Sequence, residues 1–167
     1  MKLRKTIIED LPAILDLYKR VSAVPGGLAR LKKEINSDYV TSFITKTISN
    51  GLGYVAFNEG DRLVGEIHAY TPGLYCFSHV LSDLTIAVDP DSQGAGVGRQ
   101  IFEKFMNSIL NDRKDISRIE LVARESNKIA IKFYESLGFI IEGRFSSRIR
   151  NVDGSFEADI PMAWIRA

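Results

Sequence analysis

Apolar positions along the chain fall into two rhythms. Leu11, Ile14, Leu15, Leu17, Tyr18 and Val21 recur every three or four residues, as one buried face of a helix requires. Asp10-Leu11-Pro12 supplies its start, an acid at the cap and proline in the first turn. Pro25-Gly26-Gly27 stops it. Leu31, Ile35, Tyr39, Phe43, Ile44 and Ile48 repeat the spacing and predict a second helical stretch over 28–49, with a break near Ser37. Val97, Ile101, Phe102, Phe105, Ile109 and Leu110 predict a third, and residues 128–137 a fourth, closed by Gly138 where a left-handed residue is wanted. Elsewhere the pattern becomes that of strands, over 2–8, 53–58, 62–70, 80–88, 118–123, 139–149 and 156–165. Glu59-Gly60-Asp61 and Val152-Asp153-Gly154 are the turns of two hairpins. About four helices flanking a mixed, mostly antiparallel sheet of about seven strands predict an α/β (α+β) fold, one domain over residues 1–167.

Composition narrows the classes. The chain is 45% hydrophobic, enough for a packed core. Twenty-two basic and 21 acidic residues give a formal charge of +1, so no basic face for nucleic acid is expected. The three arginines in 144–150 alternate with Phe145 and Ile149 and read as the solvated face of a strand. Cys76 is the single cysteine, which excludes an intrachain disulfide; with His79 three positions on it makes a poor case for a nucleophile, and a small apolar side chain is the better account. Two histidines and one cysteine give no expectation of a metal. No apolar run approaches the ~20 residues that span a bilayer, and the start of the chain is too charged for a secretory signal, so a cytoplasmic protein is expected.

The chemistry concentrates in Val88-Asp89-Pro90-Asp91-Ser92-Gln93-Gly94-Ala95-Gly96-Val97-Gly98-Arg99, which leads from an apolar strand into a helix. Three glycines bare the backbone N–H groups of the turn, and a helix N-terminus carries about half a positive charge. Phosphate or pyrophosphate is the natural guest. The P-loop spacing and its Lys-Ser/Thr pair are absent, and the dinucleotide fingerprint fails because Arg99 stands at its sixth position. What fits is Gln-x-x-Gly-x-Gly, as Gln93, Gly96 and Gly98.

On those residues the chain resembles the GNAT superfamily of CoA-dependent N-acetyltransferases. Asn127-Lys128-Ile129-Ala130-Ile131-Lys132-Phe133-Tyr134-Glu135-Ser136-Leu137-Gly138-Phe139 is similar to that family's later cofactor segment. Glu142-Gly143-Arg144 with Asp159-Ile160-Pro161-Met162 is similar to the branch acting on protein N-termini and small amines. The resemblance implies acetyl-CoA as cosubstrate, without metal. Ile86, Ala87 and Val88 would hold the pantetheine arm by their backbones, the amides of Gly94, Ala95, Gly96, Val97, Gly98 and Arg99 the pyrophosphate, and Asn127 the far side of the arm. Tyr134 would stand by the sulfur as acid. For the base, Asp83 comes first, Glu66 second and His79 third. A backbone N–H near Ala87 or Val88 would meet the carbonyl oxygen. The acceptor would be a small amine or a peptide, in a pocket between the 72–79 loop and the second helical stretch, with walls from Tyr70, Tyr75 and Phe77. Neither nucleic acid nor membrane is expected as a partner, and a homodimer stays open. The competing account is an acyl-CoA sensor or docking module without catalysis.

Overall fold

The computed structural model describes residues 1–24, 28 and 30–167. The predicted helix stop at Pro25-Gly26-Gly27 lies outside the described residues, as does Ala29. Strands are β1 (Lys2–Lys5), β2 (Gly51–Phe57), β3 (Leu63–Tyr70), β4 (Val80–Val88), β5 (Arg118–Arg124), β6 (Ile140–Ile141), β7 (Phe145–Arg150) and β8 (Phe156–Ile165). Helices are α1 (Leu11–Ser22), α2 (Ser37–Asn50), α3 (Val97–Asp112) and α4 (Lys128–Ser136). One sheet runs β1-β2-β3-β4-β5-β8-β6, with β7 also on β8.

The helices divide between the two faces of the sheet. On one, Ile101, Phe102, Phe105 and Ile109 of α3 and Tyr134 of α4 pack with Ile67, Leu81, Ile119 and Met162. On the other, Ile14, Leu17 and Tyr18 of α1 and Val40, Phe43 and Ile44 of α2 cover Val55, Leu63 and Ala87. Each apolar side chain of this size stabilises the fold by roughly 1.5–3 kcal/mol when fully buried.

Several expectations need correction. Asp10 precedes α1 but does not cap it: its carboxylate accepts from the Arg4 guanidinium at 2.6 and 2.7 Å and from Ile7 N–H at 2.9 Å. The second helical stretch begins at Ser37, because the Asn36 side chain accepts from Tyr39 N–H at 2.9 Å and caps it there. Leu31, ahead of that start, is exposed rather than core, as are Ile48 on the outer face of α2 and Leu110 near the end of α3. Among the described residues the sheet has eight strands, since 139–149 splits into β6 and β7. Glu142 N–H donates to Pro161 O at 3.0 Å, so Pro161 turns toward the split the edge on which its own N–H is missing. The ladder lapses at that point.

The feature that shapes the site is the junction of β4 with β5. The two strands pair in parallel only at Val80–Arg118 and Leu81–Ile119. Beyond those pairs β5 stays with β8 to Arg124, β4 stays with β3 to Val88, and the two diverge. A bulge accounts for the bend. The register on β3 slips from Tyr70–Ser82 to His68–Thr85, so Asp83 and Leu84 together oppose Ala69. Asp83 takes up the extra residue at φ +54°, a left-handed conformation that aspartate tolerates and β-branched residues do not. Asp83→Val is expected to lower stability by about 1–2 kcal/mol, and Asp83→Asn to leave it within about 0.5 kcal/mol, in urea unfolding. Equal stability of the two variants would refute the strained bulge.

Candidate active site

The end of β4 is anchored before the turn begins. Asp89 is buried, its Oδ2 3.1 Å from Arg20 and 2.9 Å from Arg62, and its other oxygen accepts from Asp91 N–H at 3.1 Å. Ser92 N–H donates to Asp89 O at 2.8 Å and Ala95 N–H to Ser92 O at 3.3 Å, which winds the chain toward α3. Gly94 and Gly96 have φ of +80° and +78°, so both positions favour glycine on backbone grounds. A Cβ at Gly98 would make only ordinary contact with Val88, at 3.5 Å, and alanine would fit there.

The result is a row of free donors. Gln100 N–H is bonded to Gly96 O at 3.0 Å, whereas the amides of Gly94, Gly96, Val97, Gly98 and Arg99 find no acceptor among the described residues. Ala95, expected in the same row, is already committed to Ser92. These amides edge a groove of about 820 Å³, with Gln93 on the same rim. Among the described residues its single charged side chain is Arg99, so an open helix N-terminus faces a space without a carboxylate.

Strand β4 continues the groove. Asp89 N–H bonds to Val64 O on β3 at 2.9 Å. Alternation then aims the backbone of Ala87 at β3 and that of Ile86 and Val88 into the gap toward β5. Ile86 and Val88 line the groove. The backbone of Ala87, expected to hold an arm or meet a carbonyl oxygen, faces β3 rather than the gap, and its side chain lies in the core beneath α1.

From β5 and α4 come Asn127 and Tyr134. Asn127 caps α4 itself, its Oδ1 accepting from Ala130 N–H at 3.0 Å, so its amide NH₂ is the group left for a ligand. Tyr134 is 8% exposed, with its ring 6.1 Å from Phe102 and 5.9 Å from Phe139 between centroids, and its hydroxyl makes no hydrogen bond to the described residues. Burial pushes its phenol up to about 12, which keeps it protonated at neutral pH.

Ile86, Asn127, Ala130 and Tyr134 also border a second chamber of about 330 Å³ through the β4–β5 gap. Its other walls include Arg30, Tyr39, Leu84, Thr85 and Arg124. The 72–79 loop does not reach it: Tyr75 is 94% exposed, and His79 and Cys76 lie at the surface. Tyr39, assigned to a core stripe, and the two arginines carried no local signal for this role. Asp83 is exposed on the bulge just before Leu84, beside Tyr70, whose phenol is pushed up to about 12 by burial and then by the Asp83 charge. Glu66 is fully buried under α1, accepting from Tyr18 Oη at 2.7 Å and lying 3.0 Å from His68 Nδ1. His68 stacks on Phe43 at 4.1 Å. Neither carboxylate borders the chamber.

A helix terminus of free amides, a strand open along one edge and a protonated phenol thus meet in one groove. The domain model described as acetyltransferase (GNAT) domain matches residues 49–141, and the chain belongs to that family. The chain is 43% identical over 90 residues to ribosomal protein bS18-alanine N-acetyltransferase of Escherichia coli, a match covering 50% of this chain and 60% of that protein. It is 29% identical over 132 residues to a histone acetyltransferase of Glycine max, covering 79% of this chain and 51% of the relative. The chain thus spans little more than half the length of these relatives. Among solved structures, a GNAT-family acetyltransferase of Streptococcus pneumoniae superposes with a TM-score of 0.87 at 20% identity, over 98% of both chains. A GNAT superfamily phosphinothricin acetyltransferase of Sinorhizobium meliloti in complex with AcCoA gives 0.83 at 16% identity, over 99% of this chain and 88% of that one. At such identities the likeness concerns the fold.

Burial of Tyr134 has a consequence in alkali. The folded protein holds this proton to about 12, against about 10 in the unfolded chain. Its contribution is complete below pH 10 and is lost as pH rises toward 12, a total of about 2–3 kcal/mol. Unfolding in urea at pH 9 and 11.5 should show the parent losing about 2 kcal/mol more than Tyr134→Phe over that interval. Identical losses would mean the phenol is not buried in solution.

Proposed function

We propose that this chain transfers the acetyl group of acetyl-CoA directly to a primary amine. The observation that carries this reading is the meeting, in one groove, of five unpaired amides at the start of α3 with the unpaired edge of β4 and the free hydroxyl of Tyr134. The donor set fits a diphosphate at one end: backbone N–H groups, a helix terminus and Arg99, without an opposing acid. It fits an amide-bearing arm along the middle, where Ile86 and Val88 present N–H and C=O as a neighbouring strand would.

Chemistry then falls at the opening between the groove and the second chamber. The amine nitrogen bonds to the acetyl carbon as the carbon–sulfur bond breaks. The nitrogen gives up a proton to a base, and the departing thiolate accepts a hydrogen bond from Tyr134 and takes its proton from solvent. Burial holds the Tyr134 proton against a thiolate whose own pKa is near 8.5, so the phenol serves the step as a hydrogen-bond donor to the charge developing on sulfur. The N–H of Val88, turned into the gap, is the donor for the carbonyl oxygen. An amine with a pKa near 10.4 must first be neutralised, at a cost of about 4–5 kcal/mol at pH 7. Asp83, on the bulge before the chamber-lining Leu84 and Thr85, takes that proton through water. Glu66, opposite Ala87 and held by Tyr18 and His68, is the second choice. The free hydroxyl of Tyr134 in the groove favours catalysis over a sensor without chemistry.

Two outcomes are expected. Calorimetry should show CoA binding to the parent and its loss, by at least about a hundredfold, in Gly96→Glu, where a carboxylate occupies the anion seat. Unchanged affinity in a folded variant would refute the cradle. In a thiol-release assay with acetyl-CoA and a panel of amines, Tyr134→Phe should lower kcat about ten- to a hundredfold and leave the KM for acetyl-CoA within about twofold. An unaltered kcat would remove Tyr134 from the reaction.

A further inference from the structure

The charged residues that border the second chamber are basic: among those described, they are Arg30 and Arg124. Arg124 is neutralised: its Nε donates to Glu157 at 2.7 Å, and its terminal nitrogen contacts Glu157 and Asn151. Arg30 forms no ion pair with the described residues. Arg30 is exposed at the chamber's mouth, and its guanidinium lies over the Tyr39 ring, 4.0 Å from the centroid, so an aromatic face rather than a carboxylate positions it. Tyr39 is itself fixed by Tyr18 and Phe43, with ring centroids at 6.1 and 5.2 Å. A stacked guanidinium keeps its edge N–H groups free, and these are the atoms that bind a carboxylate in the bidentate mode lysine cannot reproduce.

The chamber is also small. About 330 Å³ is the lower end of the range for single small ligands. Ile86, Asn127 and Tyr134 mark the side where the amine must meet the thioester, and Arg30 stands on the wall built by the segment before α2. A polyamine would bring a second cation toward Arg30, whereas an amine carrying an anion would neutralise it.

We propose that the acceptor is a small amine bearing a carboxylate, an α-amino acid or close analogue, and that Arg30 binds that carboxylate against Tyr39. This rests on the transfer reading above and adds the substrate class to it. Arg30 is a specificity residue: it touches the acceptor at the end away from the reacting nitrogen.

The test is a thiol-release assay with saturating acetyl-CoA. It compares each of a set of free amino acids with its carboxamide and its decarboxylated amine, alongside short peptides with free N-termini. The best free amino acid should exceed its carboxamide and its amine at least about tenfold in kcat/KM. Arg30→Ala should raise KM for that amino acid about ten- to a hundredfold, with kcat within about twofold and KM for the carboxamide unmoved. Arg30→Lys should restore part of the loss, and Arg30→Glu should reverse the preference toward the amine. Carboxamides or amines used as well as the acids by the parent, or a KM change in Arg30→Ala shared by acid and carboxamide, would overturn the inference and leave amine acetylation standing. A peptide preferred over every free amino acid would likewise overturn it. Binding of CoA with no thiol released from any acceptor would sink the transfer reading itself, and this inference with it.

Discussion

Past Leu81, strand β4 keeps a hydrogen-bonded neighbour on its β3 side alone, although it runs through the middle of the sheet. Backbone N–H and C=O groups away from bulk water need partners. A central strand left half-paired is an unfilled requirement, and much of the molecule holds it in that condition. The bulge at Asp83 bends β4 away. Full pairing of β5 with β8 prevents β5 from following. The ion pairs of Asp89 with Arg20 and Arg62 tie the far end of β4 to α1 and to the β2–β3 turn, so the gap is closed neither by collapse nor by fraying.

The two faces of the sheet differ in how they support that gap. On the α3 and α4 side, support is mainly packing: Phe102, Phe105, Phe139 and Tyr134 form one aromatic cluster that seats the last turn of α4 against α3. On the α1 and α2 side, polar groups enter the core. Glu66 is enclosed with Tyr18 and His68, and a lone buried carboxylate would be costly without those partners. Burial and the Glu66 charge together push the Tyr18 phenol well above its ordinary value, so it remains a donor to Glu66. The face without buried charge thus carries the groove's phenol, and the face that encloses Glu66 backs the second chamber.

Much of this was legible in the chain, and what was missed has a common cause. The limits of β4 and β8 follow from the strand pattern and its neighbouring turn residues, Asp89-Pro90 and Val152-Asp153-Gly154, and Gly138 stands at φ +88° where a helix-closing residue was expected. Bare amides at the start of α3 follow from the glycine spacing, because that feature is a property of consecutive residues. The failures are properties of neighbours across space. The break between β6 and β7 is set by Pro161, about twenty residues away in the chain. Ala87 differs from Ile86 and Val88 only through the register of β4 on β3. Arg30 and Tyr39 reach the chamber because α1 and α2 pack on the face where β4 and β5 part. A periodicity count gives Tyr39 to the core, and its ring does pack there while also bordering the chamber.

This contrast explains why one half of the site can be read so much further than the other. A ligand held by backbone amides constrains the sequence only through residues that keep side chains out of the way or permit a positive φ; here those are Gly94 and Gly96, with Gly98 replaceable by alanine. Such constraints are local and leave a compact signature. A ligand held by side chains constrains residue type at positions that any fold with the same gap could draw from different elements. Arg30, ahead of α2, and Arg124, at the end of β5, have the same charge and border the same chamber. What separates them is Glu157 on β8, which neutralises one and leaves the other free. Free charge, rather than charge, is what a substrate can recognise, and it is defined only once the strands have been brought together.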